Sequence, residues 1–540
     1  MEFMMKTKPY KHQMEAFQKF KDRKYFGLFM DMGTGKTKVA IDIAAYKYTK
    51  GEIDSVLVIA PNHVHTQWAT EEFPKHCPVD YHVKVWSSSE VSRKYYLPMI
   101  SQYLKEKSSV MKVFCVNVEA FQSNRILEYV ATMVKNNECF IIVDESTRIK
   151  SPKAKRSKAI HKLNKYGQRA ILTGTPTTKS PFDLWSQFEF LNRDYFQSSF
   201  FQFQHRYGIM MRANNHITGQ VYNALIDEKR FNIVKNKIKR LKRERQERGE
   251  STELKNRDYE LLASILEVSE SNVRFIEQQG EFQKFKNMDE LKSLIADDVF
   301  TAKKEECLDL PDKIYERVFV EMSKEQKRVY KNVKEQLRAE LLDKELTVVN
   351  KLVATTRLQQ ICGGFFPYDD GDKTGIIPIE KTNVKLERLV EDLEEVNFEN
   401  TKVIVWAAFV PELLAIYERL SKEYKCVLYY GGVPNYRRDT IKKDFVAGKY
   451  DIFIANTATG GFGLNLQNAT LQYFFSNTFN VENRLQAEDR SHRIGVKSTC
   501  VYKDIVVKNS IDDRIYKAIK AGRDLNDYFK TLDDILNEED

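Results

Sequence analysis

Tyr25-Phe26-Gly27-Leu28-Phe29-Met30 leads into Asp31-Met32-Gly33-Thr34-Gly35-Lys36-Thr37, and that into Lys38-Val39-Ala40-Ile41-Asp42-Ile43-Ala44-Ala45. The opening run is apolar and has the length of a buried strand. The closing run spaces its apolar residues as a helix does. Strand, glycine turn, helix is the setting in which Gly-x-Gly-Lys-Thr cradles phosphate. Gly33, Thr34 and Gly35 let backbone N–H groups approach a phosphate closely, and the helix N-terminus adds its positive dipole end. Lys36 is placed for the β- and γ-phosphates of a nucleotide such as ATP, and the Thr37 hydroxyl for Mg²⁺. The strict pattern has another glycine five positions before Gly35, where Met30 stands. The competing reading is a plain glycine turn between a strand and a helix. Upstream, Gln13 offers an amide with both a donor and an acceptor for an adenine edge. A surface glutamine is the alternative there.

Working outward, apolar runs recur at helix-length intervals: Ser55–Ala60, Val113–Val116, Phe140–Val143 and Ala170–Leu172. Strands apolar throughout are buried on both faces, as in a parallel α/β sheet. In such sheets function sits just past the strands' C-terminal ends. Ala60-Pro61-Asn62, Asp144-Glu145-Ser146-Thr147 and Thr173-Gly174-Thr175-Pro176 occupy those places. Asp144 suits a Mg²⁺ ligand and Glu145 a base that orients the attacking water. A second series follows: Val403–Trp406, Cys426–Tyr430, Ile452–Ala455, Tyr473–Phe475 and Val501–Ile505. It carries no phosphate loop of its own, so it is expected to serve the first nucleotide from across a cleft. Its candidates are in Gln486-Ala487-Glu488-Asp489-Arg490-Ser491-His492-Arg493. Arg490 and Arg493 are three apart, which on a helix puts them on one face. Two guanidiniums suit the charge on a transferring γ-phosphoryl group. A solvated basic helix is the alternative.

The chain has 540 residues, enough for about three domains. Hydrophobic content is 42%, charged content 30% and net charge +10, compatible with a polyanionic partner without requiring one. The seven cysteines are scattered and form no C-x-x-C pair, which reads as a reducing compartment without structural zinc. No signal peptide or long apolar run is present, so a soluble, cytoplasmic protein is expected.

Taken together, Met32–Thr37, Ala60-Pro61 through Gln67-Trp68, Asp144–Thr147 and Leu172–Pro176 resemble motifs I, Ia, II and III of superfamily 2 helicases. Gln67-Trp68, Ile149-Lys150-Ser151-Pro152 and Leu184-Trp185 resemble the SWI/SNF branch in particular. Gln486 to Gly495 resembles its motif VI, with Val496 where the family has Gln. Thr459 to Leu466, with Gly461 and Gly463, resembles motif V, which touches DNA backbone and nucleotide. The Asp-Glu-Met-Gly-x-Gly-Lys-Thr of that family also lacks a glycine at the Met30 position. The resemblance implies a P-loop nucleoside triphosphatase with two RecA-like parallel-sheet α/β lobes and a helical insertion between them. The expected layout is lobe 1 at 1–195, the insertion at 196–310, lobe 2 at 311–520 and a helical tail at 521–540. It also implies ATP and Mg²⁺ as cofactors, with ATP held between Lys36/Thr37 and Arg490/Arg493. Thr173 and Thr175 then link closure to lobe 2.

Within the insertion, eight of the fourteen residues from Lys235 to Arg248 are Lys or Arg. A solvated helix face or contact with a duplex backbone both fit. Glu260 to Glu277 resembles a helix-turn-helix, with Ala263, Val273 and Ile276 at its packing positions and Glu267 where the turn glycine is expected. The resemblance as a whole implies a DNA-dependent ATPase, monomeric, that translocates on double-stranded DNA and remodels protein–DNA complexes or branched DNA. A strand-separating or branch-migrating helicase is the alternative. A DNA-binding adaptor with a vestigial ATPase is a third reading. The compact layout points to a bacterial or bacteriophage source.

Overall fold

The computed structural model describes residues 3–62, 64–88, 90–177, 180–214, 221–308, 310–343, 348–369, 374–457, 466–478, 480–493, 496 and 498–521. The chain divides into two compact units. One comprises Met1–Met30, Lys36–Pro61 and Trp68–Thr301; the other comprises Asp31–Gly35, Asn62–Gln67 and Ala302–Asp540. Each is built on a parallel sheet, so the α/β class and the paired sheets expected from the two series of apolar runs are both present.

The strands of the first sheet are β1 (Tyr25–Met30), β2 (Ser55–Ala60), β3 (Tyr81–Val85), β4 (Met111–Asn117), β5 (Cys139–Asp144) and β6 (Gln168–Thr173). Strands β7 (Met210–Asn214) and β8 (Val221–Leu225) form a separate antiparallel hairpin, and β9 (Val299–Ala302) returns to the sheet. The order is β3-β4-β2-β5-β6-β1-β9. β2, β4 and β5 are buried at every position, which is why their sequences are apolar without alternation. Each fully buried Val, Leu, Ile or Phe side chain contributes roughly 1.5–3 kcal/mol. Helix α1 (Lys11–Phe20) precedes β1, and α2 (Lys36–Thr49) follows it. α2 is buried along most of its length, and its interior charges Lys38 and Asp42 pair at 2.6 Å. Helix α3 (Asp183–Leu191) sets Leu184, Phe188 and Leu191 into the core of the first unit.

Strand order explains how distant motifs meet. β6 lies between β1 and β5, pairing Phe29 with Thr173 on one side and Asp144 with Leu172 on the other. The C-terminal ends of β1, β6 and β5 therefore lie side by side in the sheet.

The stretch 196–310, expected as a helical insertion, holds strands beside its helices. That stretch holds the β7–β8 hairpin and β9, and Gly27 N donates to Asp298 O at 2.7 Å beside β1. Its helices include α4 (Glu228–Glu247), α5 (Asn256–Leu266) and α6 (Glu270–Gln278). Phe231, Val234 and Ile238 of α4 pack with Leu262, Val273 and Ile276 into a core of their own.

In the second unit the strands are β10 (Lys313–Val320), β13 (Val403–Ala407), β14 (Cys426–Tyr429), β15 (Ile452–Asn456), β16 (Leu471–Phe474) and β17 (Cys500–Val507), with a separate antiparallel hairpin of β11 (Phe365–Asp369) and β12 (Thr374–Pro378). The order is β10-β17-β16-β13-β15-β14, parallel throughout. β10 is largely exposed at the edge and carries Lys313, Glu316 and Arg317, charges that discourage pairing with another chain. Helix α7 (Val481–Glu488) follows β16.

Candidate functional site

The turn after β1 reaches its shape through two glycines. Gly33 has φ +81° and Gly35 φ +89°, backbone that side chains with a Cβ rarely adopt. The Thr34 hydroxyl donates to Asp31 O at 2.7 Å inside the turn, and Thr34 is fully buried. α2 opens at Lys36, so its first N–H groups and dipole end face the turn. The Lys36 ammonium is buried and donates to Met30 O, the last carbonyl of β1, at 2.7 Å. Thr37 follows one residue on.

Asp144 ends β5 and is 6% exposed. The indole N–H of Trp68 donates to its Oδ2 at 2.8 Å, and the Glu145 amide donates to its Oδ1 at 2.9 Å. Both oxygens are thus oriented by fixed donors. Burial, reinforced by the neighbouring Glu145 charge, pushes the Asp144 carboxyl up to about 6, against the pull of Trp68 and the Lys36 ammonium. The charge of Lys36 thus reaches Asp144 electrostatically, as the strand order requires. Glu145 sits at φ 48°, ψ 57°, the left-handed region, which is strained for a side chain of its size. A short 3₁₀ turn, Ser146–Ile149, takes the chain onward.

Between these two segments, Thr173 is fully buried at the end of β6, and its Oγ1 accepts from the Thr175 amide at 3.1 Å. Gln13, on α1, is 3% exposed, and its Oε1 accepts from the Tyr10 amide at 3.0 Å. It is a buried side chain with a fixed orientation, not a surface glutamine.

The second unit corrects one expectation. Arg490 and Arg493 do not share a helix face, because α7 stops at Glu488 with Asp489 as its cap. Arg490 N bonds to Ala487 O at 3.2 Å and Arg493 N to Ser491 O at 3.1 Å, so both arginines lie on turns. Gln486 is on α7 and 5% exposed; Arg490 is 7% exposed. Gly461 and Gly463 lie outside the described residues.

What holds that turn is a charge network that sequence reading missed. Arg484 Nε donates to Glu488 Oε1 at 2.8 Å, Nη1 to Asn477 Oδ1 at 2.7 Å and Nη2 to Asp504 Oδ2 at 3.0 Å. Its guanidinium lies 3.3 Å from the centroid of the Phe474 ring. Tyr315 OH donates to Glu488 Oε2 at 2.7 Å, and Lys304 Nζ pairs with Asp489 at 2.7 Å. The one visible signal was Asp504, a charge inside the apolar run Val501–Ile505. Trp68 was noted in sequence without a role, and nothing local announced its bond to Asp144.

In 196–310, Glu267 takes φ 54° between α5 and α6, so the turn position that favours glycine does adopt the left-handed geometry. Val273 and Ile276 are buried, and Ala263 packs against the same core. Two polar side chains of α6 are engaged within the fold: Asn272 Nδ2 donates to Met210 O at 3.0 Å, and Arg274 lies 3.7 Å over the Tyr259 ring. On α4, Arg240 and Arg243 pair with Glu244 and Glu247, while Lys237 and Lys239 are exposed.

Comparison with known proteins bears on this arrangement. The SNF2-related domain matches residues 21–364, and the helicase conserved C-terminal domain matches 384–495. An uncharacterized ATP-dependent helicase of Mycoplasma genitalium is 23% identical over 528 residues, covering 95% of this chain and 41% of that protein. The putative ATP-dependent helicase/translocase YwqA of Bacillus subtilis is 24% identical over 395 residues, covering 72% of this chain and 35% of that protein. The chain thus spans about two fifths of the length of these relatives. The solved Sulfolobus solfataricus SWI2/SNF2 ATPase core in complex with dsDNA aligns with TM-score 0.37 and 20% identity, over 98% of this chain and 95% of that one. Among the described residues, no helix is long and apolar enough to cross a membrane.

Proposed function

The chain belongs to the SNF2-related family, and from that premise we propose that it is a DNA-dependent ATPase that moves along duplex DNA, remodelling protein–DNA complexes or branched DNA without having to separate strands. The observation that carries this reading is the row of strand ends β1, β6 and β5. These neighbouring strands run on into the glycine turn, the Thr173–Pro176 loop and Asp144-Glu145, which supports a shared nucleotide site.

The residues fit ATP bound with Mg²⁺. The turn's backbone N–H groups and the first turn of α2 receive phosphate oxygens, and Lys36 exchanges the Met30 carbonyl for a phosphate. Thr37 and Asp144 are the hard oxygen donors that Mg²⁺ prefers, and the cation would offset phosphate charge. Glu145 orients the attacking water and takes its proton. Gln13 reads the adenine edge. Arg490 and Arg493, supported by Gln486, stabilise charge on the γ-phosphoryl group, a role that supplies roughly 10³–10⁵ in rate where it is measured. Thr173 and Thr175 pass the nucleotide's state to the rest of the motor. DNA is gripped by its backbone, so sequence preference is weak and salt dependence steep. We place the protein in the cytoplasm as a monomer.

The test is ATP turnover with single-stranded, duplex, forked and four-way DNA, with RNA as control. Duplex DNA is expected to raise turnover and Lys36→Ala to abolish it. Turnover indifferent to duplex DNA and to Lys36→Ala would refute the motor reading. The names of two relatives include helicase, so strand displacement from a tailed duplex is the companion assay. Release of the labelled strand would favour a strand-separating helicase.

A further inference from the structure

One polar side chain of the first unit is fully buried outside the nucleotide candidates. Gln187 is fully buried on α3, among the core residues Leu184, Phe188 and Leu191. A buried amide is costly unless every group on it is bonded. Here each is. Its Oε1 accepts from the Ser146 hydroxyl at 2.6 Å, and its Nε2 donates to Pro176 O at 2.8 Å and Asp183 O at 2.9 Å. Two carbonyls on one side and a hydroxyl on the other fix which end is nitrogen.

The partners identify the purpose. Ser146 is also fully buried and directly follows Glu145, whose backbone is held in the left-handed region. Pro176 closes the loop that leaves β6. β5 and β6 pair up to Asp144 and Leu172, and past that point the ladder no longer joins the two segments. Gln187 joins them instead. The neighbouring Ser186 hydroxyl bonds to Ile149 O at 2.5 Å, so α3 grips the 3₁₀ turn after Glu145 at both ends.

We propose that Gln187 is a positioning residue: it holds the turn that aims Glu145 and ties it to the Thr173–Pro176 loop, so that the two segments move as one body. This rests on the ATPase reading above. Displacement of either segment strains the same amide. The nucleotide's state at Asp144-Glu145 therefore reaches the β6 loop through one side chain.

The experiment compares the full chain with Gln187→Leu, Ser146→Ala and the double variant. It measures kcat and KM for ATP at saturating duplex DNA, with amide hydrogen exchange of 146–149 and 173–177. Each single variant is expected to lower kcat about tenfold or more, from one lost buried hydrogen bond in Ser146→Ala and three in Gln187→Leu, and to leave KM within about twofold. The double variant should fall no further than the worse single. Ser146→Ala should speed exchange in 173–177, a segment to which the Ser146 hydroxyl is linked through Gln187. A kcat kept within twofold, losses that multiply, or unchanged exchange in 173–177 would overturn the proposal. If Gln187→Leu does not fold, Ser146→Ala decides alone, since it deletes one hydroxyl. A wild type that duplex DNA does not stimulate would instead sink the motor reading, while the exchange data would still judge the bridge.

Discussion

Arg484→Met is the sharpest test of the buried network beneath the candidate arginines. The substitution keeps a flexible unbranched stem and removes the guanidinium fork. Glu488, 2% exposed, would retain the Tyr315 hydroxyl at 2.7 Å and Lys313 at 3.4 Å. Asp504, fully buried, would retain only Asn477 Nδ2 at 2.8 Å among the bonds described. Asp504 is thus left as the uncompensated charge. Removing one partner of a buried ion pair costs about 3–5 kcal/mol. That is roughly 10²–10⁴ in the folding equilibrium, and a large share of a typical domain's stability. If the stranded charge is the cause, Asp504→Asn added to Arg484→Met should recover most of the loss. Arg484→Lys should fall between, since lysine keeps the charge but cannot fork. Urea unfolding followed by ¹⁹F resonances of fluorotryptophan isolates this unit, because Trp406 is its one tryptophan and Trp68, Trp86 and Trp185 are in the other. A loss under about 1 kcal/mol for Arg484→Met, or no recovery in the double variant, would refute the reasoning.

Two further outcomes follow from charges elsewhere. Burial pushes the Glu412 carboxyl up to about 7 from an ordinary 4.5. The folded chain therefore binds that proton more tightly than the unfolded chain, and stability should fall as pH rises from 4.5 through 7, by about 3 kcal/mol in all. Glu412→Gln should flatten the profile and gain most above pH 7; thermal midpoints at pH 5.5 and 8 check this, and parallel slopes would count against it. On α4, reversing the exposed Lys237 and Lys239 to Glu should weaken duplex binding and reduce the slope of log K against log salt by up to about 2. An unchanged slope in a filter-binding titration would remove α4 from the DNA interface.

The fold was legible because parallel strands buried on both faces must be largely apolar, and five such runs in the first unit, Tyr25–Met30 among them, and five in the second stand out. β3 and β10 escaped notice for the converse reason: His82, Lys84, Glu316 and Arg317 interrupt their patterns at partly solvated positions. β9 was missed because only four residues mark it. Gly33, Gly35, Lys36, Asp144 and Glu145 could be picked out since phosphate chemistry constrains residues that are adjacent in sequence. Trp68, Gln187 and Arg484 could not, since each acts through a partner 20 to 76 residues away. The helix expected under Arg490 and Arg493 failed because spacing gives a face only while the helix lasts, and α7 stops at Glu488.

β9 has a bearing on how the protein is made. The strand that flanks β1, the strand leading into the glycine turn, is not synthesised until residues 299–302. On the ribosome, the nascent sheet therefore waits with β1 as a bare edge, its amides open to any passing strand. A fragment cut at residue 195 would be frozen in that condition. The shortest piece worth expressing alone runs past Ala302.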